Sequence, residues 1–178
     1  QTCALPIFLA LVAVITFFGT AIPGFFSPFS LLESTRQLGE FAIVVMGLTV
    51  VMLAGGIDLS VGSMFALSAF ASVAAFFIFH QPVAVAALAA LVTGGLFGAV
   101  NGYLIGYMRL RAFLTTLVTL VIGRAIYDIL VVNYGSVIQT STASSDLWDF
   151  IGDGDIHGIS VPVAAAIVLA VVFHIALT

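Results

Sequence analysis

The residues with the clearest chemical potential lie in one short stretch, residues 55–63, with the sequence GGIDLSVGS. Asp58 is the only charged side chain between residues 41 and 79. Placing a carboxylate in an apolar or bilayer environment costs several kcal/mol, so such a group usually has a buried partner or a function. The spacing alone favours equally a functional polar break in a membrane helix and an ordinary short loop between two helices.

The neighbours of Asp58 predict how the chain is built there. Gly55 and Gly56 weaken the helix that precedes the break. Asp58 and Ser60 have side chains suited to capping the helix that restarts after it. Discontinuous membrane helices with a polar break recur in transporters.

A pair of oppositely charged residues lies further along the chain. Arg124 and Asp128 stand four residues apart in one apolar segment. Mutual neutralisation is the least costly way to keep both in a membrane. A structural ion pair is the favoured interpretation, and a substrate-gating pair is the alternative.

Three catalytic or ligand-binding chemistries fit the sequence poorly. Intramembrane aspartyl hydrolysis by Asp128 and Asp155 would need both carboxylates buried and sharing a proton, whereas Asp155 lies in a polar loop, so it is only a remote alternative. The three histidines lack metal-ligand spacing, and no Gly-x-x-x-x-Gly-Lys-Ser/Thr loop is present. We therefore expect no catalytic residue, no metal and no cofactor.

The composition places these residues in a membrane. Of the 178 residues, 62% are hydrophobic and 7% are charged, whereas roughly a quarter are charged in soluble domains. The chain has four arginines and no lysine, which excludes a basic nucleic-acid-binding face. The chain is an integral membrane protein, and the lipid bilayer is its first partner.

The apolar segments predict an all-α, polytopic membrane bundle. A spanning helix needs about 20 mostly apolar residues, and about six segments qualify. These are residues 7–22, 41–54, 63–79, 83–107, 112–132 and 161–177. Residues 27–39 predict an interfacial amphipathic helix, and residues 133–160 a polar loop. The break around residues 55–63 separates the second span from the third.

The charge distribution predicts an orientation. Arg109 and Arg111 form the only basic cluster, which favours a cytoplasmic turn. The loop at residues 133–160 contains four aspartates and no basic residue, so it is expected on the outer side.

The fourth span has a stripe of small residues. Four glycines recur at four-residue spacing, namely Gly94, Gly98, Gly102 and Gly106. Such a stripe lets a neighbouring helix approach closely, so we predict tight helix packing within the subunit. Asn101 lies in the same helix and is expected to bond across to a neighbour, with a packing role favoured over a ligand contact.

The motifs together resemble one family. Residues 47–63, with the sequence GLTVVMLAGGIDLSVGS, closely resemble the signature of ribose- and xylose-type permeases, the membrane subunits of bacterial ATP-binding-cassette sugar importers. These belong to the branched-chain amino acid and monosaccharide permease superfamily. The downstream segments NGYLI at residues 101–105, AFLTTLVTL at residues 112–120 and GISVP at residues 158–162 support the resemblance.

The resemblance implies a function and a set of partners. It implies a multi-pass permease subunit in the bacterial inner membrane that is not itself an enzyme. Its partners would be a second permease subunit in a homo- or heterodimeric pore, cytoplasmic ATPase subunits and an extracytoplasmic sugar-binding protein. Monosaccharides such as ribose or xylose are the expected substrates. The alternatives within permeases are branched-chain amino acids, nucleosides or a signalling furanose.

The resemblance also implies a mechanism, alternating access driven by ATP hydrolysis in a partner subunit. Asp58 and Ser60, together with Asn101, are expected to shape or gate the pathway, and Gly55, Gly56 and Gly62 to permit the kink. Direct sugar binding by Asp58 is less favoured. The residues leave open whether Asp58 gates or only caps the broken helix.

The ends of the chain carry two further expectations. Residues 1–7 look like a translated sequencing adaptor, so the native sequence is expected to begin near Phe8. Residues 8–178 are then expected to form an incomplete permease domain that lacks the C-terminal part that docks on the ATPase.

Overall fold

The computed structural model describes residues 4–156 and 158–177, which form a helical structure with one small hairpin. The α-helices are α1 (Ala4–Ala21), α2 (Pro28–Leu53), α3 (Val61–Phe77), α4 (Val83–Gly102), α5 (Ala112–Thr140), α6 (Asp146–Asp153) and α7 (Val161–Leu177). A π-helical turn, Tyr103–Tyr107, extends α4. The strands β1 (Asp155–Ile156) and β2 (Ile159–Ser160) pair antiparallel. The all-α fold class is confirmed.

Six of these helices are apolar enough for a membrane protein. The segments Pro28–Leu53, Val83–Tyr107 and Ala112–Thr140 are long and apolar enough to cross a bilayer, and α1, α3 and α7 are shorter apolar helices. This agrees with the prediction of about six membrane helices. The predicted adaptor segment, residues 1–7, lies partly outside the described residues, and its origin stays a prediction.

The N-terminal part of the prediction was wrong in one respect. Residues 27–39 and 41–54 were expected as an interfacial helix followed by a span, but α2 runs through both without interruption. The Arg36 guanidinium lies 2.6 Å from the Glu33 carboxylate. The hydroxyl of Ser34 donates to the carbonyl oxygen of Ser30 one turn earlier. These bonds within the helix let the polar segment continue directly into the apolar one.

The predicted polar loop at residues 133–160 was also wrong in part. Helix α5 continues to Thr140, since the Asn133 amide donates to the carbonyl of Ile129 at 2.7 Å and the Thr140 hydroxyl to that of Ser136 at 2.9 Å. Polar residues that are common in loops thus extend the helix, because their side chains donate to its backbone carbonyl groups. Helix α6 and the β-hairpin occupy most of the remainder.

The described chain divides into two compact units. One unit contains the described residues up to Ile43 and those from Asp153. Within it, Gly39 lies so close to the backbone of α7 that an added Cβ would be 2.6 Å from the Val163 nitrogen. The Arg36 guanidinium also donates to the Asp153 carbonyl at 2.6 Å. Helix α2 therefore contacts the start of α7 through its one buried residue.

The other unit, Val44–Gly152, contains the candidate site. Helix α3 packs between α4 and α5, and a small core of Ala75, Phe76, Val83 and Ala86 is buried at one end of α3. The Trp148 ring of α6 stacks on Phe76 at a centroid distance of 4.3 Å. This end is therefore closed by aromatic packing.

Helices α3 and α5 approach each other closely at Gly123. A Cβ at this position would lie 2.8 Å from the Ser63 Oγ and 2.9 Å from the Ser63 Cβ. Small residues at a helix–helix interface let backbones approach closely, which is the main source of helix association in a bilayer. Gly123 thus sets the separation of two helices that carry parts of the candidate site.

We predict that Gly123→Ala destabilises the full-length subunit by about 1–3 kcal/mol, because the added methyl group overpacks this contact. Gly135→Ala on the same helix is the matched control, since its methyl group would lie 3.7 Å from Val131. That change should leave stability unchanged or raise it by up to about 1 kcal/mol. Melting temperatures in detergent compare the two, and equal shifts would contradict the role of Gly123.

Candidate functional site

The helix break lies where the sequence places it, between the end of α2 at Leu53 and the start of α3 at Val61. Gly55 has a φ of +78°, a left-handed conformation that favours glycine. The Gly56 N–H donates to the Val51 carbonyl at 3.0 Å and closes the end of α2. Gly62 lies in the first turn of α3, and an added methyl group there would meet no atom within 4 Å in the described chain.

The Asp58 carboxylate is hydrogen-bonded to Ser60, two residues further along the chain. Its Oδ1 accepts hydrogen bonds from the Ser60 N–H at 2.7 Å and from the Ser60 hydroxyl at 2.6 Å. Ser60 stands at the N-cap position of α3 but makes no side-chain capping bond, because its hydroxyl already points to Asp58. The carboxylate therefore fixes the backbone that leads into α3.

Asn101 of α4 joins this arrangement from a distant part of the sequence. Its Nδ2 donates to the Ser60 Oγ at 2.7 Å. Ser60 is 0% exposed and Asn101 is 5% exposed. The Ser60 hydroxyl thus donates to Asp58 while it accepts from Asn101, and it links the break to α4.

Two further hydroxyl groups complete what we name the Ser60 cluster, the residues Asp58, Ser60, Ser63, Asn101 and Thr116. The Ser63 hydroxyl donates to the Ser60 carbonyl at 2.8 Å. The Thr116 Oγ1 of α5 lies 2.9 Å from the Ala112 carbonyl and 3.3 Å from that of Ile57. Helices α3, α4 and α5 therefore all contribute to one buried polar centre at the break.

Ser63 and Thr116 were not among the predicted site residues. Ser63 ends the motif at residues 47–63, and Thr116 lies in the motif at residues 112–120. A hydroxyl in an apolar helix gives no periodic signal that it faces a break elsewhere. The close α3–α5 approach at Gly123 had no such signal either, since Gly123 stands outside the glycine stripe of α4.

The Ser60 cluster has one charge and no cation. In the part of the chain that the structure describes, the ion pairs involve Arg36 and Arg124, so Asp58 is balanced by hydrogen bonds alone. The Asn101 Oδ1 is buried without a hydrogen-bond partner among the described residues. An unsatisfied buried acceptor costs about 1–3 kcal/mol. The cluster thus offers hydrogen-bonding groups and one acceptor that is still free to accept.

The ion pair of Arg124 and Asp128 lies on another part of α5. The Arg124 Nε is 3.3 Å from the Asp128 Oδ1, and the two side chains are 63% and 57% exposed in this chain. The guanidinium also lies 5.3 Å from the Tyr127 ring centroid. The structure brings the pair together but leaves its function, structural or gating, a prediction.

The remote alternative of aspartyl hydrolysis gains no support. Asp155 is exposed, and its carboxylate accepts a hydrogen bond from the Gly158 N–H at 3.2 Å. The side chain of Asp128 is also largely exposed. Neither carboxylate has the burial that proton sharing requires. Over the described ranges, the side chains of His, Cys, Asp and Glu form no group of three that could hold a metal ion.

Of the four glycines in the stripe, only Gly94 lies close to another helix within the described residues. A Cβ at Gly94 would lie 3.1 Å from the Ser68 Oγ of α3, whereas one at Gly98, Gly102 or Gly106 would meet no atom within 4 Å. Close packing along the whole stripe stays a prediction.

Comparison with known proteins identifies a matching family. The family model described as branched-chain amino acid transport system / permease component matches residues 30–178. This range includes the break, the whole Ser60 cluster and all three further motifs. No solved structure matches the chain significantly.

Relatives with assigned names match most of the chain. It is 36% identical over 170 residues to the ribose import permease protein of Haemophilus influenzae, covering 94% of this chain and 52% of that protein. It is 37% identical over 157 residues to the ribose import permease protein of Escherichia coli K12, covering 87% and 48%. The galactofuranose transporter permease protein of Escherichia coli K12 is 30% identical over 149 residues, covering 84% and 41%. The chain spans about half the length of the curated relatives it matches.

Proposed function

The chain belongs to the family of branched-chain amino acid transport system permease components, and from this premise we propose that it forms part of the membrane pathway of an ATP-binding-cassette importer for monosaccharides. A member of this family is a transport subunit and not an enzyme. It is a multi-pass protein of the bacterial inner membrane, in agreement with its apolar helices.

The chemistry of the Ser60 cluster supports a sugar as the substrate class. A monosaccharide presents hydroxyl groups that donate and accept hydrogen bonds, and the cluster consists of hydroxyls, one amide and one carboxylate. An amino acid would also present its own carboxylate, for which an arginine or a helix N-terminus is the usual partner. The described cluster contains no cation, and the Asp58 carboxylate already occupies the Ser60 N–H at the start of α3, so the cluster favours sugars over branched-chain amino acids. Two relatives are named for ribose and one for galactofuranose.

The single observation that carries the mechanism is the position of the Ser60 hydroxyl between Asp58 and Asn101. It joins the polar break to α4, while the Asn101 Oδ1 stays without a partner in this arrangement. Alternating access requires a second arrangement of similar free energy. We propose that α3 moves relative to α4 in the cycle and that the Asn101 Oδ1 then accepts a hydrogen bond.

The role of Asp58 in this mechanism is to position and not to bind. Its Oδ1 already accepts two hydrogen bonds from Ser60, so it acts on the pathway through that residue. Gly55, with its left-handed backbone, is the proposed hinge at the start of the break.

The proposed partners follow from the family. They are a second permease subunit in a homo- or heterodimeric pore, cytoplasmic ATPase subunits and an extracytoplasmic sugar-binding protein. The sequence has no phosphate-binding loop of its own, which supports ATP hydrolysis by a separate subunit.

We predict that Asp58→Asn in the full-length subunit lowers the rate of sugar uptake at least about tenfold, since a neutral acceptor holds the Ser60 hydroxyl about half as strongly as a carboxylate. Asp149→Asn is the matched control, because Asp149 lies exposed on α6. Uptake of radiolabelled sugar is compared at equal membrane expression. Wild-type uptake by the Asp58→Asn variant would remove any essential role for the charge.

The substrate class is tested by deletion of the gene that encodes the subunit. We expect the deletion strain to lose growth on low concentrations of ribose, xylose or a related monosaccharide as sole carbon source, and to keep growth on leucine, isoleucine and nucleosides. Restored growth from a plasmid copy is the control. Loss of growth on an amino acid or nucleoside, with normal growth on every monosaccharide, would contradict the proposal.

A further inference from the structure

A second feature of the larger unit is a crevice of about 900 Å³ between α4 and α5. Its walls include the aliphatic residues Leu96, Val100, Leu104, Leu114, Val118 and Ile122, and also the polar residues Thr93, Thr115, Thr119 and Asn101 of the Ser60 cluster. The Thr115 and Thr119 hydroxyls already donate to carbonyl groups of their own helix. A sugar would find few hydrogen-bonding groups along such walls, whereas a hydrocarbon chain matches them. The aliphatic part of the crevice therefore suits a hydrocarbon chain better than the transported monosaccharide, and Asn101 joins this crevice to the Ser60 cluster.

One end of the crevice has a concentrated positive charge. Arg109 and Arg111, two of the four arginines of the chain, both line it, and no acidic residue appears among the described residues that do. In the part of the chain that the structure describes, neither guanidinium is in an ion pair. The charge at this end is therefore available to an anion.

The backbone at this end favours an anion as well. Arg111 is the N-cap residue of α5 and provides no side-chain capping hydrogen bond. The first N–H groups of a helix lack partners within the helix and attract negative charge, and a cation at this end is unfavourable without an anion beside it. Arg109 has a φ of +54°, which is uncommon for a residue other than glycine. The chain thus keeps two cations at a helix end that attracts the opposite charge.

We propose that this crevice binds an anionic phospholipid, with an acyl chain along the aliphatic walls and the phosphate group at Arg109, Arg111 and the start of α5. The turn with both arginines is the one that the charge distribution assigns to the cytoplasmic side. Basic pockets between membrane helices on that side bind anionic lipid headgroups. The inference goes beyond the proposed function, since it requires the membrane and the α4–α5 packing but no particular sugar.

The test uses the full-length subunit that contains this chain, purified in micelles with equal amounts of phosphatidylglycerol and phosphatidylcholine of identical acyl chains. Native mass spectrometry measures the retained lipid. We expect phosphatidylglycerol to be retained about tenfold more strongly, a difference of about 1.4 kcal/mol. The double variant Arg109→Gln/Arg111→Gln should lose this preference, and Arg109→Lys/Arg111→Lys should keep most of it because the positive charge remains.

A pair of matched variants tests the crevice itself. Val118→Trp fills it and should reduce retention of phosphatidylglycerol, whereas Val121→Trp, on the same helix but outside the crevice, should not. Size-exclusion profiles check that both variants remain folded. Inorganic phosphate at the concentration of the lipid should leave retention unchanged.

Four results would overturn the proposal. They are equal retention of the two lipids by the wild type, retained preference in the glutamine variant, equal effects of the two tryptophan variants, and displacement of the lipid by inorganic phosphate. A melting temperature lowered by Val118→Trp, with no lipid preference in the wild type, would instead assign the crevice to a protein segment or a second copy of the chain.

Discussion

The structure depends on one buried hydroxyl, that of Ser60, which donates to the Asp58 carboxylate and accepts from the Asn101 amide. A carboxylate inside an apolar protein is tolerated only when hydrogen bonds or a countercharge replace water. Among the described residues no cation does so, and the replacement comes from the N–H and the hydroxyl of Ser60. The Ser60 hydroxyl that stabilises Asp58 also accepts from Asn101, and this second bond links the start of α3 to α4.

The packing of the larger unit is consistent with this constraint. Gly123 lets α5 approach α3 next to Ser63, and Thr116 then lies near the Ile57 carbonyl of the break. At the other end of α3, aromatic stacking on Phe76 holds α6 in place. Between α4 and α5 lies the crevice with Arg109 and Arg111 at its end, and Asn101 belongs both to this crevice and to the polar centre.

Sequence reasoning locates the break and the apolar helices because both are local properties. A lone carboxylate beside two glycines marks the break, and runs of apolar residues mark the spans. The partner of Asn101 could not be predicted, since Ser60 is 41 residues away and an amide carries no signal for its neighbour. The extension of α5 was missed because polar side chains that bond to their own helix resemble a loop in composition. The continuity of α2 was missed because the change from polar to apolar residues near Phe41 does not show whether a helix ends there. The packing of Gly39 on the start of α7 is likewise a long-range contact.

The central claim is that Ser60 and Asn101 are energetically coupled across α3 and α4. A double-mutant cycle with Ser60→Ala, Asn101→Ala and the combined variant tests it most directly, with free energies of unfolding measured on the full-length subunit in detergent. The structure predicts an interaction free energy of about 1 kcal/mol or more between the two positions. Additivity within about 0.3 kcal/mol, the behaviour of independent sites, would contradict the claim.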